Sequence, residues 1–197
     1  NFLNFKIKKK VLFVNNLKRQ QETSHLPKKL INVIISKSGN TLETILNSNA
    51  LIKKDNKNIF ITENKESYLK QLAQNLKAEI VNHNNFIGGR YSVLSEVGML
   101  PVELMGLSEK KFKQFNYLIK SKVFIKNLIN NVSNIICLQK KKKFNSIIIN
   151  YDEESESLFK WYQQLVAESL GKKSLGILPI VSTMPKDNHS TMQLYLD

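Results

Sequence analysis

Residues 32–46 read NVIISKSGNTLETIL, and this stretch decides the fold. Asn32 to Ile35 is a β-branched run of the buried-strand type. It stops abruptly at Ser36-Lys37-Ser38-Gly39-Asn40. From Thr41 the apolar residues Leu42, Ile45, Leu46 and Ala50 recur at helical spacing. Asn40, with Glu43 three residues on, has the form of a capping box. Strand, hydroxyl-rich turn and helix in direct succession are how a layer of parallel sheet begins.

The alternation continues on both sides. Upstream, Val11 to Asn15 (VLFVN) reads as a short strand. Downstream, Ile59 to Thr62 is a strand, Ser67 to Leu76 an amphipathic helix through Leu69, Leu72, Ala73 and Leu76, and Ala78 to Val81 a further strand. Gly88-Gly89-Arg90 breaks the pattern, and Ser92 to Leu107 mixes helix and loop. Lys110 to Leu138 carries a helical stripe through Phe112, Phe115, Leu118, Ile119, Val123 and Leu128, and Lys140 to Lys143 reads as a solvated turn. Strand and helix then resume: Ser146 to Asn150, Ser155 to Leu170, and Gly176 to Ser182 despite Pro179. The expected fold class is α/β, with helices on both faces of a parallel sheet.

The 197 residues suffice for one large domain or two small ones. No apolar run approaches the roughly 20 residues a membrane helix needs, so no membrane partner is expected. The opening NFLNFKIKKK has a basic run without the apolar core of a signal peptide. The single cysteine, Cys137, lies in an apolar stretch; a buried thiol and a reducing cytoplasm fit it. The chain opens on Asn1 and stops at Asp197 directly after an apolar run, so both ends read as internal to a longer protein.

Net charge is +14, from 30 Lys+Arg against 16 Asp+Glu. A nucleic-acid surface would explain that excess, but only Arg19 and Arg90 are arginines, and bidentate base and phosphate contacts favour arginine. The lysines come with abundant Asn and Ile, as in an AT-rich coding sequence. No nucleic-acid partner is expected, although a positive field would help attract a phosphorylated substrate.

Four segments carry chemistry. In SKSGNTLET (Ser36 to Thr44) a strand ends and a helix begins, so the helix's first N–H groups point outward with the positive end of its dipole. Ser36, Ser38 and Thr41 add hydroxyl donors, and Gly39 allows a tight turn. That chemistry suits a phosphate; an ordinary capped turn is the alternative, and the spacing is not that of a nucleotide P-loop. In GGRYS (Gly88 to Ser92) one of the two arginines follows two glycines, which suits charge stabilisation or a plain turn. In WYQQLVAESLGK (Trp161 to Lys172), Gln164 and Glu168 share a helix face, and Gly171 is placed as a left-handed cap. A carboxylate at the negative end of a helix suits a general base, although spacing alone favours a solvated glutamate. In KDNHS (Lys186 to Ser190), His189 follows a strand, where open α/β sheets collect their active sites. His25 and His83 lack that setting and read as loop residues. No cluster has metal-ligand spacing.

These segments, in this order, resemble the glucose-6-phosphate isomerase family. SKSGNTLET is similar to the family's SK[ST]xxTxET phosphate loop, and IGGRYSVLSEVGMLP to its GGRxSxxSxVG signature. QQLVAESLGK resembles the helix bearing the catalytic Glu, and KDNHSTMQLYLD the segment bearing the catalytic His. The match runs through residues 31–197 and is closer to bacterial variants with AESLGK and DNHS than to those with ESNGK and QHA. One departure is Gly39-Asn40, where some members have Phe-Thr.

The resemblance implies flavodoxin-like sugar isomerase (SIS) domains, each a three-layer αβα sandwich. Residues 1–106 would be the C-terminal part of the first, 107–143 connecting helices and 144–197 the N-terminal part of the second. It implies interconversion of glucose 6-phosphate and fructose 6-phosphate through an enediolate, without cofactor or metal, in glycolysis and gluconeogenesis, by a homodimer. Ser36, Lys37, Ser38 and Thr41 would line the phosphate site, and Arg90 would stabilise the enediolate. Glu168 would shuttle the proton with Gln164 close to the sugar. His189 would assist ring opening, reaching the neighbouring subunit's site. The family's GIGGS-like loop should lie upstream of Asn1 and its catalytic Lys beyond Asp197, so this stretch alone is expected to be inactive. A non-catalytic SIS-type sugar-phosphate sensor would keep the Ser/Thr loop but has no need of Arg90, Glu168 and His189 together.

Overall fold

The computed structural model describes residues 9, 11–17, 29–53, 55–173 and 175–197. They fall into two compact units, one ending at Glu109 and the other beginning at Lys110. The fold class is the expected α/β sandwich, and every strand pairing among the described residues is parallel.

The first unit holds a sheet in the order β1 (Ile31–Ile35), β2 (Lys57–Glu63), β3 (Glu79–His83). Register explains its core. Ile34 stands opposite Phe60, and Phe60 opposite Ile80, so one row of apolar side chains crosses one face. Helix α1 (Leu42–Leu51) and helix α2 (Tyr68–Asn75) cover that row: Ile45 from α1 and Leu69, Leu72 and Ala73 from α2 pack against Ile34 and Phe60. Ile59 and Ile61, pointing to the opposite face, are also buried, so β2 is covered on both sides. Helix α3 (Glu96–Leu104) follows a 3₁₀ turn at Gly89–Leu94 and packs against β3.

Helix α4 (Glu109–Lys113) begins at the boundary residue, and in the second unit a 3₁₀ stretch (Gln114–Lys120) and α5 (Lys122–Lys140) precede a pair of parallel strands, β4 (Asn145–Asn150) and β5 (Leu178–Thr183). Helix α6 (Glu156–Leu170) connects them and packs on β5, with Gln163 Nε2 donating to the Pro179 carbonyl at 2.8 Å. A 3₁₀ turn (Lys186–His189) and α7 (Thr191–Leu196) follow.

Several local expectations change. Val11 to Asn15 forms no strand; Val11, Leu12 and Phe13 are exposed, and β-propensity needs a paired neighbour to express itself. The stretch 110–138 is not one helix, because Ser121 starts a new one: its hydroxyl accepts from the Phe124 amide at 3.3 Å. Cys137 is exposed, since α5 buries none of its residues. Gly171 caps α6 at φ −71°, outside the left-handed region, and its amide bonds back to the Ala167 carbonyl. His83 is no loop residue; it closes β3 and is buried. His25 lies outside the described residues. No helix among the described residues is long and apolar enough to cross a membrane.

Candidate active site

The loop from Ser36 to Thr41 leaves the carboxyl end of β1 and enters α1. Its backbone is tied to the neighbouring strand: the Lys37 carbonyl accepts from the Glu63 amide at 3.0 Å and from the Thr62 hydroxyl at 3.2 Å. Ser36 is buried, and its Oγ lies 2.8 Å from Thr41 Oγ1, so these two hydroxyls stand together at the helix entrance. Ser38 is exposed and accepts from the Asn40 amide at 3.2 Å.

The cap of α1 differs from the expected box. Thr41 is the N-cap residue and makes no side-chain cap bond. Asn40 instead turns to α2, where its Oδ1 accepts from the Tyr68 amide at 2.9 Å. Helix α2 is thus capped from two sides, with Ser67 Oγ also accepting from the Lys70 amide. Helix α1 keeps its first-turn N–H groups without a side-chain cap. Uncapped N–H groups, a dipole end and the paired hydroxyls of Ser36 and Thr41 form a place for an anion.

Lys37 points from this loop toward the next one. Its Nζ donates to the Asn85 carbonyl at 3.0 Å and the Ile87 carbonyl at 2.9 Å, and pairs with Glu63 Oε1 at 3.2 Å. An ammonium group has three N–H donors, and three protein oxygens meet it here. Arg90 lies in the 3₁₀ turn that follows, with its guanidinium 4.9 Å from the centre of the Tyr91 ring. Three serine contacts stiffen that turn: Ser92 Oγ to the Gly89 carbonyl at 2.6 Å, Ser95 Oγ to the Ser92 carbonyl at 2.7 Å, and Ser95 Oγ from the Val97 amide at 3.3 Å. Gly98 is required behind it, because a Cβ there would stand 2.0 Å from the Val93 carbonyl oxygen. Gly88 has an ordinary backbone, at φ −66°.

The other candidates belong to the second unit. Gln164 and Glu168 lie one turn apart on α6, and both are exposed. His189 is exposed at the end of the 3₁₀ turn after β5. Asp187, in the same turn, holds it to the strand: one carboxylate oxygen accepts from the Ser182 hydroxyl at 2.7 Å and the Thr183 amide at 2.8 Å. The Ser182 hydroxyl first, then the Thr183 amide, holds the Asp187 carboxyl below the usual aspartate range. Ser182 is itself buried.

Two residues with no role in the sequence reading stand out. His83 and Glu96 are bonded to each other through Nδ1 and Oε1. Burial pushes the Glu96 carboxyl up, but hydrogen bonds from its own amide, His83 and Asn84, with the charge of His83, outweigh that and leave it below the usual range. The available signal was Ser95-Glu96, an N-cap followed by an acidic first turn. Among the described residues no group of three or more His, Cys, Asp or Glu is placed to hold a metal.

A family model described as phosphoglucose isomerase matches residues 3–177. Glucose-6-phosphate isomerase of Methanocaldococcus jannaschii is 35% identical over 203 residues, which cover 94% of this chain and 50% of that protein. The Campylobacter jejuni enzyme of the same name is 32% identical over 179 residues, covering 84% of this chain and 44% of its own length. The chain thus spans about half, or less, of these curated relatives. Among solved structures, a hypothetical protein of Thermus thermophilus superposes with a TM-score of 0.66 at 25% identity, over 83% of this chain and 43% of that one. Glucosamine-6-phosphate deaminase of Thermotoga maritima superposes at 0.56 with 18% identity, over 88% of this chain and 52% of that one, a likeness of fold. With a family match across most of its length, this chain belongs to the phosphoglucose isomerase family.

Proposed function

We propose that the full-length protein interconverts glucose 6-phosphate and fructose 6-phosphate through an enediolate, in glycolysis and gluconeogenesis, as a cytoplasmic homodimer. The observation that carries this reading is the uncapped N-terminus of α1, with the Ser36 and Thr41 hydroxyls 2.8 Å apart at its mouth, in a chain of this family. A sugar phosphate needs such an anchor, and amides and hydroxyls supply it without a metal.

In this reading Ser36, Ser38, Thr41 and the first amides of α1 hold the phosphate. Lys37 has its N–H groups facing protein oxygens, so it contributes its field rather than a direct bond. Arg90 stabilises the negative charge that develops on the enediolate oxygen. Glu168 takes the proton from one carbon and returns it to its neighbour, with Gln164 on the same helix face to orient the sugar. His189 assists ring opening, contributed to the neighbouring subunit's site. Residues 1–106 and 144–197 are parts of two sugar isomerase domains joined by 107–143.

The test is Glu168→Gln in the full-length protein, which keeps the shape of the side chain and removes its basicity. Turnover of fructose 6-phosphate should fall by at least the roughly 10²–10⁴-fold typical of general-base loss. KM should change far less, because the phosphate loop is untouched. Near-normal turnover would make Glu168 a surface residue and overturn the mechanism.

A further inference from the structure

The segment carrying Arg90 leaves β3 after His83 and re-enters regular structure at Glu96. Those two residues close the loop on itself. His83 is 3% exposed, with its ring Nδ1 on the Glu96 carboxylate and Nε2 3.1 Å from the Ile87 carbonyl. The same carboxylate oxygen accepts from the Asn84 amide at 3.3 Å, so Glu96 grips the exit and the return of the loop together. Both nitrogens of the imidazole thus meet an oxygen of this loop or of the residue that closes it.

The Ile87 carbonyl is also where Lys37 arrives, at 2.9 Å, from the phosphate-binding loop. One backbone oxygen therefore receives a side chain from β3 and a side chain from the loop that follows β1. Ile87 directly precedes Gly88-Gly89-Arg90. Among the described residues, the hydrogen-bond partners of the His83 ring nitrogens belong to this loop or to the residue that closes it.

We propose that His83 is a positioning residue: with Glu96 and Lys37 it fixes the loop bearing Arg90 at a set distance from the phosphate loop. The inference rests on the reading of Arg90 given under Proposed function. A guanidinium that stabilises an enediolate works only if it stays where the charge appears, and a displacement of about 1 Å can cost roughly 10²-fold in rate.

The test uses the full-length protein with fructose 6-phosphate as substrate. His83→Gln fills similar space but puts a single amide group in place of two separate ring nitrogens. Its kcat should fall by about 10²-fold while KM stays near the parent value, since the phosphate contacts remain. Arg90→Ala should lose at least as much, and the His83→Gln/Arg90→Ala double variant no more than Arg90→Ala alone, because both act through one group. Glu96→Gln leaves the buried ring in place and should show the same kcat loss in smaller measure. It decides the matter if His83→Gln fails to fold. Normal kcat in folded His83→Gln or Glu96→Gln, alongside a damaged Arg90→Ala, overturns the positioning role alone. So do losses that add in the double variant. Normal kcat in Arg90→Ala overturns the site reading itself, and the positioning role with it.

Discussion

Gly39 offers the most direct test of how the proposed phosphate loop is built. Its φ is +65°, and a Cβ added there would stand 2.1 Å from Ser67 Oγ and 2.6 Å from Ser67 Cβ. Gly39→Ala therefore meets two separate penalties. The left-handed backbone costs an L-residue about 1–2 kcal/mol. Forcing a methyl into the Ser67 side chain adds about 1–3 kcal/mol of overpacking. Together they predict a loss of about 2–5 kcal/mol of unfolding free energy, read from urea denaturation of the full-length protein. The Gly39 carbonyl accepts from the Leu69 amide at 3.0 Å and its amide donates to the Ser36 carbonyl at 3.2 Å, so any shift reaches the Ser36–Thr41 pair. KM for fructose 6-phosphate should rise along with the loss of stability.

A second variant separates the two penalties. Gly39→Ala/Ser67→Gly removes both clashing atoms. Glycine at the α2 N-cap costs only a few tenths of a kcal/mol, so most of the steric part should return. The backbone part of about 1–2 kcal/mol should stay. Gly39→Ala with the parent's stability would refute the loop geometry. A double variant less stable than the single would show that Ser67 is not the obstacle.

Removing the hydroxyl pair with Ser36→Ala/Thr41→Ala should raise KM for fructose 6-phosphate by roughly 10²–10⁴-fold, at about 1.5–3 kcal/mol for each of the two hydrogen bonds to a charged group, and leave kcat nearly intact; steady-state kinetics checks both. Asp187 has a lowered folded pKa, so the stability it contributes is present above the unfolded value and lost as pH falls through the folded one. Urea midpoints measured below about pH 4 should therefore drop more steeply in the parent than in Asp187→Asn, which has no carboxylate to protonate. Residues 1–197 alone should convert no fructose 6-phosphate at a measurable rate, since they span half or less of the curated relatives. The same piece should bind a hydrophobic dye, because Val123, Leu128, Ile129 and Val132 on α5 are all exposed.

Much of the sheet was legible because its strands are short β-branched runs between turn residues. The register that brings Ile34, Phe60 and Ile80 into one row was not legible, since it depends on pairing between segments far apart in the chain. Val11 to Asn15 shows the limit from the other side: the right residues, with no strand paired to them among the described residues. The capping residues show a subtler failure. Asn40 has the correct type and spacing to cap the helix that follows it. It caps α2 instead, because the turn at Gly39 brings the start of that helix within reach. Spacing along the chain identifies a side chain that wants a helix N-terminus, and only the fold says which one it finds.

The candidate site divides along the same line. The Ser36–Thr41 loop could be read locally because its parts are contiguous: strand end, hydroxyls, helix start. Lys37 belongs to that motif in sequence yet points out of it, to carbonyls 48 and 50 residues away. His83 looked ordinary for the converse reason. Its partners, Ile87 and Glu96, lie on either side of a loop whose path no periodicity records, and a histidine shortly before a glycine pair carries no signal alone. Residues that touch a substrate tend to sit in motifs whose order is visible. Residues that hold those motifs in place work through bonds closed only by folding. Asp187 joins the two cases: it shares a motif with His189, and its grip on Ser182 and Thr183 ties the chemistry-bearing turn to the end of β5.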